Sequence, residues 1–275
     1  MSKERVIYYK DELNDDFAGN NIKTKPLGKK FKYVHSNIFW KIYEFILYYL
    51  IASPLVYLIQ KIYTRQKFVN RKAFKKVKKE GYFMYSNHTQ YMNDVYIGPL
   101  SNWPKKCFII ANPDATSIKG IRAIVQALGV IPLGVSFKEA RNMIKCIETR
   151  IKENNAIMIY PEAHIWPYYT KIRPFEYMSF KYPCKLNKPI FVLTNCYQKR
   201  RFSKRPKVIT YVDGPFYPNM ELDVNSAAKE LRNIAYDTMV KRASEYSTYE
   251  YIKYIKKDVD SNRSDTNLPG KSIRF

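Results

Sequence analysis

Short apolar runs alternate with helical patterns from residue 81 onward. The runs are five or six residues long and lie at 82–86, 107–111, 156–160, 189–194 and 207–212. Helical periodicity is clearest at 137–153, where apolar residues recur at every third or fourth position, and a second helical pattern lies near 117–128. Such alternation is typical of an α/β domain. The sequence therefore predicts a mixed, largely parallel sheet flanked by helices.

A charge-free stretch of fifteen residues, at 45–59, precedes this domain. A helix that fully spans a bilayer needs about 20 apolar residues, and Pro54 lies near the middle of the stretch, where it would kink or break a helix. We therefore predict a membrane-associated helical segment at 37–63 that enters one leaflet as a hairpin or kinked helix. A buried core helix is the alternative.

Basic residues dominate the chain, with 48 Lys+Arg against 24 Asp+Glu and a net charge of +24. They crowd around the apolar stretch, at Lys29, Lys30 and Lys32 before it and at Arg65, Lys67, Arg71, Lys72, Lys75, Lys76, Lys78 and Lys79 after it. Basic clusters beside a membrane segment are attracted to anionic lipid and favour the cytoplasmic side. We therefore expect membrane lipids and an anionic bilayer surface as partners, at the cytoplasmic face of a membrane.

Nucleic acid is the other polyanion that this charge would suit, and the aromatic content of 16% is compatible with base stacking. The basic run adjoins an apolar segment, however, and no pattern of an RNA-binding or helix-turn-helix module occurs. We therefore expect no nucleic-acid partner.

The chain is predicted to fall into four parts. A polar lead-in that is loosely held covers 1–36, and the membrane-associated segment with its basic flank covers 37–80. A single α/β domain covers 81–256, and its last part, 222–256, is predicted to form closing helices. The polar and charged residues at 257–275 predict a disordered tail.

The first candidate site residues follow the apolar run at 82–86. His88 lies where a strand would give way to a loop, and Asp94 follows six residues later. An imidazole with a carboxylate in reach can act as a general base with its orienting group. A hydrogen-bonded structural histidine is the alternative interpretation.

The second candidate group follows the run at 156–160. It comprises Glu162, His164, Lys171 and Arg173. Ligands of α/β sheets gather beyond the carboxyl ends of the strands, so these groups could bind a polar, phosphate-bearing substrate. A structural loop pinned by its prolines and aromatic residues is the alternative interpretation.

Other enzyme classes are less well supported. No Gly-x-Ser-x-Gly elbow of a hydrolase occurs, and the four scattered cysteines and three histidines lack the spacing of metal ligands. A hydrolase or metal enzyme built on the two groups is therefore the weaker hypothesis, and we expect no metal.

Together these residues resemble the 1-acylglycerol-3-phosphate acyltransferase family, the PlsC-like glycerolipid acyltransferases, over about residues 40–215. The family's first block, Asn-His followed by an aspartate, is similar to Asn87, His88 and Asp94. Its second, third and fourth blocks are similar to Gly-Val-Ile-Pro at 129–132, Tyr-Pro-Glu-Ala-His at 160–164 and Lys-Pro-Ile-Phe-Val at 188–192. The blocks occur in the family's order, with the membrane segment before the first.

The chain departs from the family pattern at three points. Its spacing is H-x5-D instead of H-x4-D, which puts Asn93 at the usual aspartate position. The second block lacks its usual arginine, and the third lacks both Gly-Thr and the adjacent arginine. Arg173 or Lys171 would have to replace these cations, unless the acceptor differs.

The resemblance implies transfer of a fatty acyl group from acyl-CoA or acyl-carrier protein to the free hydroxyl of 1-acylglycerol-3-phosphate. The product would be phosphatidic acid, and neither cofactor nor metal would be needed. His88 would be the base and Asp94 its orienter, although Asn93 could take part of that role. The substrate-binding residues would be Asn87, Glu162, His164, Lys171 and Arg173. Another lysophospholipid or lipid acceptor, or a non-catalytic lipid-binding relative, is the alternative.

Overall fold

The computed structural model describes residues 5–19, 26–28, 31–90, 93–118 and 120–257. Most of the predicted tail lies outside these residues. The elements in chain order are β1 (Val6–Tyr9), α1 (Ile38–Thr64), β2 (Lys67–Val69), a 3₁₀ helix (Arg71–Val77), β3 (Tyr82–Ser86), α2 (Asp94–Ser101), β4 (Cys107–Ala111), α3 (Asp114–Ser117), α4 (Arg122–Ala127), β5 (Val130–Pro132), α5 (Phe137–Lys152), β6 (Ala156–Ile159), a 3₁₀ helix (Met178–Phe180), α6 (Lys181–Leu186), β7 (Ile190–Gln198), β8 (Lys207–Phe216), α7 (Val224–Tyr246) and β9 (Lys253–Lys256).

Seven strands form the central sheet in the order β2-β8-β7-β3-β6-β4-β5. All neighbouring pairs are parallel except β7 and β8, which form an antiparallel hairpin. The strands β3 to β7 therefore share one direction and end at one edge of the sheet, which we call the carboxyl edge. This arrangement confirms the predicted mixed, largely parallel sheet flanked by helices.

Both faces of the sheet are covered, which explains why its strands read as continuous apolar runs. On one face, Phe83 and Tyr85 of β3 pack in a core with buried residues of α5, α6 and α7. On the other face, Tyr82 and Met84 pack with the 3₁₀ helix Arg71–Val77 and with α2. Neighbouring residues of β3 serve opposite cores because side chains alternate along a strand.

The apolar segment forms one continuous helix, α1, which excludes the hairpin but not the kinked helix among the two predicted forms. The helix has 27 residues and is long and apolar enough, by length and composition, to cross a membrane. Pro54 is tolerated because the preceding turns, Ile46–Ala52, are π-helical. The N–H and the hydroxyl of Ser53 both donate to the carbonyl of Tyr48. The wider turn therefore carries the helix past a residue that cannot donate a backbone hydrogen bond.

Helix α1 lies across the face of the sheet instead of projecting from the domain. Near its start, Glu44 forms an ion pair of 2.5 Å with Lys106, which directly precedes β4. The hydroxyl of Tyr48 accepts a hydrogen bond of 3.1 Å from the N–H of Cys107. At its last residue, the carbonyl of Thr64 accepts a hydrogen bond of 2.6 Å from Arg200. The helix therefore runs from the amino edge of the sheet to the carboxyl edge.

The described part of the lead-in is held in place, contrary to prediction. Strand β1 pairs in parallel with β9 in a separate two-stranded sheet, with Val6 opposite Lys253. Further along, the N–H of Phe17 donates to the carbonyl of Ile165.

The closing region, 222–256, also differs from the prediction, since it contains one long helix, α7, followed by the strand β9. Both short strands gain their partners only from the distant end of the chain.

Candidate active site

The carboxyl ends of β3 and β6 bring the two sequence motifs together. These strands are neighbours in parallel register, with Tyr85 opposite Ile159. His88 follows β3, and Glu162 follows β6 by a similarly short interval. The backbone N–H of His88 donates a hydrogen bond of 2.9 Å to Glu162 Oε2. The first and third blocks therefore form one site at the carboxyl edge.

His88 and Asp94 form a hydrogen-bonded pair. The distance from His88 Nδ1 to Asp94 Oδ2 is 2.6 Å, and the same oxygen accepts the N–H of Gln90 at 3.0 Å. Asp94 is the first residue of α2, so the longer spacing still brings its carboxylate to the imidazole. Asn93 contributes backbone hydrogen bonds, with Gln90 and with Tyr96. The geometry thus makes Asp94 the partner of His88.

The imidazole of His88 is fixed on one side and accessible on the other. The ring of Tyr160 stacks on it with 4.3 Å between the centroids, and the Tyr160 hydroxyl donates to the backbone carbonyl of Asp94. The side chain of His88 is 17% exposed, whereas that of Asp94 is 1% exposed. Because no described residue hydrogen bonds to His88 Nε2, this nitrogen is available to a bound molecule.

Burial raises the pKa of the Asp94 carboxyl group, and the hydrogen bond with His88 partly offsets that effect. The second carboxylate oxygen, Oδ1, is buried without a hydrogen-bond partner among the described residues. The carboxylate is thus removed from water and receives little compensation besides His88 and Gln90.

Glu162 holds the backbone of the site. Its Oε1 accepts the N–H of Arg173 at 3.0 Å, while its Oε2 accepts the N–H of His88. The side chain is fully buried, and this burial raises its pKa, which Arg173 and the two N–H groups counteract. Glu162 therefore holds the backbone of His88 in place, and both of its carboxylate oxygens are occupied by backbone N–H groups.

Arg173 has a different environment from the one its predicted contact with phosphate requires. Its side chain is 1% exposed, and Nη2 lies 3.6 Å from Glu162 Oε2. The guanidinium also donates to the backbone carbonyls of Glu12, Glu162 and His164. It lies over the ring of Trp166, 5.0 Å from the centroid. Arg173 is therefore a buried cation that neutralises Glu162 and fastens the loop.

The remaining predicted residues divide into structural and exposed groups. Asn87 is buried and exchanges two hydrogen bonds with the backbone of Asn195, which joins β3 to β7. His164 Nδ1 lies 3.8 Å from Asp16 Oδ2, at the margin of the site. Lys171 is exposed. Of the two predicted phosphate contacts, only Lys171 is thus open to a ligand.

Sequence reasoning missed Tyr160 and Asn195 as site residues. Tyr160 lies within the third block, so the sequence already places it near Glu162. Its stacking on His88 depends on the pairing of β3 with β6, which the sequence does not show. Asn195 has no sequence signal because it sits inside an apolar strand. The structure also places Ala163 at φ +64°, a left-handed conformation in which the family's glycine is unstrained.

An apolar cavity of about 900 Å³ adjoins the site, between α1 and the sheet. Its lining includes Val56 of α1, Val95 of α2, Ile109 of β4, Leu128 after α4 and Val130 of β5. Val95 directly follows Asp94 at the start of α2, so one residue of the lining is the sequence neighbour of the His88–Asp94 pair. Its size is within the range of small-molecule sites in proteins.

Comparisons with known proteins concern the domain that contains this site and its fold. The Acyltransferase family profile matches residues 62–184, which contain His88, Asp94 and Glu162. No curated protein matches the sequence significantly. Among solved structures, the fold matches the 1-acyl-sn-glycerophosphate (LPA) acyltransferase PlsC from Thermotoga maritima, with a TM-score of 0.51, 15% identity and coverage of 76% of this chain and 88% of that chain. The chain therefore carries an Acyltransferase domain at residues 62–184 and has a PlsC-like fold.

Proposed function

We propose that this protein is a membrane-associated enzyme that transfers a fatty acyl group to the free hydroxyl of 1-acylglycerol-3-phosphate. The acyl donor would be acyl-CoA or acyl-carrier protein, and the product would be phosphatidic acid in phospholipid biosynthesis. The observation that carries the proposal is the His88–Asp94 pair, which lies at the carboxyl edge beside a large apolar cavity. The solved relative from Thermotoga maritima is an LPA acyltransferase, which supports the choice of acceptor.

In this mechanism His88 acts as the general base. Its Nε2 takes the proton of the acceptor hydroxyl while the hydroxyl oxygen attacks the thioester carbonyl. The tetrahedral intermediate collapses, the carbon–sulfur bond breaks, and the protonated imidazole returns the proton to the leaving thiolate. Asp94 keeps Nδ1 in the protonated tautomer and stabilises the imidazolium. Glu162 and Tyr160 hold the backbone and ring of His88 at the correct position.

The cavity would receive an acyl chain. Its lining is mostly apolar and includes Val95, one residue from Asp94. An acyl chain placed there would bring a carboxyl-derived carbon close to His88 while its methylenes are removed from water. Burial of each methylene is worth about 0.8 kcal/mol, which is enough for the cavity to select the donor by chain length.

Helix α1 would attach the enzyme to the bilayer. Many large apolar side chains on its outer surface are exposed, among them Phe39, Ile46, Leu50, Leu58 and Ile62. Its inner side contacts the domain from Glu44 to Thr64. A helix held in this way would lie in one leaflet along the membrane surface. The basic residues that follow it, at 65–79, would face anionic headgroups on the cytoplasmic side.

A second acceptor class follows from the position of Arg173. Because its guanidinium is used by Glu162 and by backbone carbonyls, it is not available to a phosphate. Of the predicted cations only Lys171 remains, and it lacks the bidentate geometry of arginine. Another lysophospholipid or lipid acceptor is therefore the alternative substrate of the same reaction.

The test is an acyl-transfer assay with purified protein in anionic liposomes. Acyl-CoA and acyl-carrier protein are offered in turn as donors, and 1-acylglycerol-3-phosphate is compared with other lysophospholipids. His88→Ala should lower turnover at least about 1000-fold, whereas the matched control His164→Ala should retain turnover within about threefold. Comparable turnover in His88→Ala and wild type would remove His88 from the mechanism. Faster transfer to another lysophospholipid would replace the proposed acceptor.

A further inference from the structure

The hairpin between β7 and β8 carries a dense group of basic residues around one exposed aromatic ring. The tip reads Lys-Arg-Arg-Phe-Ser-Lys-Arg-Pro at 199–206 and contains no acidic residue. Phe202 is 89% exposed, and the guanidinium of Arg201 lies 5.1 Å from the centroid of its ring. Four basic side chains of the tip are exposed: Lys199, Arg201, Lys204 and Arg205. We call residues 199–206 the basic tip.

The basic tip projects from the same edge of the sheet as the active site. Strand β7 is parallel to β3, with Leu193 opposite Ser86, two residues before His88. It continues beyond Leu193 to Gln198 before the chain turns. At about 3.3 Å per residue, the tip therefore stands roughly 15 Å beyond the level of Ser86.

The tip is also joined to the end of α1. Arg200 is half-buried and donates its hydrogen bond of 2.6 Å to the carbonyl of Thr64, the last residue of the helix. Tyr63, which precedes it, is largely exposed. The basic tip and the carboxy-terminal end of α1 thus form one continuous surface. This surface combines exposed cations with exposed aromatic side chains and lies at the same edge of the sheet as His88.

We propose that the basic tip is a second lipid contact, which docks on an anionic bilayer surface and turns the carboxyl edge toward the lipid. The inference rests on the membrane association in the proposed function. A helix lying in one leaflet leaves the domain free to roll about the helix axis. A second contact beside the active site fixes that rotation, so that a lipid acceptor can reach His88 from the membrane.

The chemistry of the tip fits this partner. Lysine and arginine near a membrane bind anionic headgroups with roughly 1 kcal/mol per charge, and a phenylalanine among them can enter the interface. A solvated hairpin would gain nothing from an exposed phenylalanine at its apex. The phosphate of the acceptor itself is the other anion that the tip could bind, and the experiment below distinguishes it from the bilayer.

The first experiment measures binding to vesicles of phosphatidylcholine, with and without phosphatidylglycerol. The variant Lys199→Gln/Arg201→Gln/Lys204→Gln removes three charges and retains the hydrogen bond between Arg200 and the carbonyl of Thr64. The matched control Lys145→Gln/Lys185→Gln/Lys229→Gln removes three lysines from α5, α6 and α7, on the opposite face of the sheet from α1. We expect the tip variant to lose about 100-fold in affinity for the anionic vesicles, and the control to lose less than about tenfold.

The second experiment measures insertion directly. Phe202→Trp places a fluorophore at the tip, and Tyr217→Trp places one at the far end of β8, where Tyr217 is 55% exposed. With brominated phosphatidylglycerol in the vesicles, the added tryptophan at position 202 should be quenched. The one at position 217 should remain unquenched.

Three results would overturn the inference. Equal affinity of the tip variant and its control for anionic vesicles would do so, as would equal quenching at the two tryptophans. So would unchanged vesicle binding by a tip variant whose KM for a soluble short-chain acceptor rises, because the tip would then bind the substrate's phosphate. Absence of wild-type binding to both kinds of vesicle would instead refute the proposed membrane association, and this inference with it.

Discussion

Replacing Asp94 by asparagine separates orientation from charge in the His88–Asp94 pair. The carboxylate oxygen Oδ2 accepts hydrogen bonds from His88 and from the N–H of Gln90. An asparagine whose amide oxygen takes that place can accept both. Its nitrogen then occupies the position of Oδ1, which is buried without a partner among the described residues. The geometry of the imidazole can therefore persist while the negative charge is lost.

The magnitude follows from the distance and the burial. An opposite charge at hydrogen-bond distance stabilises a cation in a protein by about 1.4 to 4 kcal/mol. Asp94 Oδ2 lies 2.6 Å from Nδ1 and is shielded from water, so its effect on the imidazolium should fall within that range. Loss of this stabilisation from the transition state predicts a decrease in kcat of about 10- to 1000-fold. Substrate binding should change little, since the carboxylate faces away from the open nitrogen.

The assay is acyl transfer in liposomes at saturating donor, with kcat and KM measured for wild type, Asp94→Asn and Asn93→Ala. Asn93→Ala is the matched control, because Asn93 occupies the family's usual aspartate position and contributes backbone hydrogen bonds. We expect its kcat to stay within about threefold of wild type. A larger loss in Asn93→Ala than in Asp94→Asn would refute the assignment of the orienting role. A kcat within about threefold of wild type in Asp94→Asn would refute the electrostatic reasoning.

Three further predictions concern stability and the cavity. Burial raises the pKa of Asp94 above its unfolded value of 3.8, so its contribution to stability is present below that pH and is lost as pH rises through the raised pKa. The melting temperature of Asp94→Asn should therefore rise relative to that of wild type as the pH increases above about 4. Arg173→Met should lower the free energy of unfolding by about 3–5 kcal/mol, because it leaves Glu162 as a buried, unpaired charge. Leu128→Trp should reduce transfer of long acyl chains at least about tenfold more than transfer of short ones, since the larger side chain fills the cavity.

Two of these predictions, those for Arg173→Met and Leu128→Trp, have a control in the same part of the chain. Lys171→Met removes an exposed cation near Arg173 and should change the stability by less than about 0.5 kcal/mol. Ile124→Trp adds the same indole on α4 at an exposed position that does not line the cavity. Equal stability of the two cation variants would contradict the role of Arg173. If the two tryptophan variants had equal activity profiles across acyl-chain lengths, the cavity would not be the binding site of the acyl chain.

The fold was largely predictable because the strands are buried on both faces. A doubly covered parallel strand must be apolar along its whole length, so β3, β4 and β6 stand out as uninterrupted runs. Strand β7 extends beyond its predicted end because Asn195 and Gln198 continue it with polar side chains. The strands β1 and β9 carry no comparable signal. They are four residues each and exist only because the two ends of the chain meet.

The site was predictable where the chemistry is local and unpredictable where burial decides it. His88 and Asp94 are six residues apart, and Glu162 joins them because parallel neighbouring strands end at one edge. The sequence does not indicate whether the guanidinium of Arg173 faces solvent or the interior. Its buried position depends on the backbone carbonyls that surround it in the folded chain. One of those carbonyls belongs to Glu12, in a segment whose polar composition predicted a loose lead-in. Composition alone could not show that this segment covers the loop.

The amino-terminal segment thus supports the candidate site. The carbonyl of Asp15 accepts the indole N–H of Trp166, and Asp16 Oδ1 accepts the N–H of Ile165. These contacts hold the third-block loop on Arg173. Arg173 in turn pairs with Glu162, which accepts the N–H of His88. A loop that lacks the family's Gly-Thr-Arg can therefore still hold His88 in place, because distant residues supply the missing support. The same packing buries Arg173, so under the proposed function the acceptor would be recognised by other groups at the carboxyl edge.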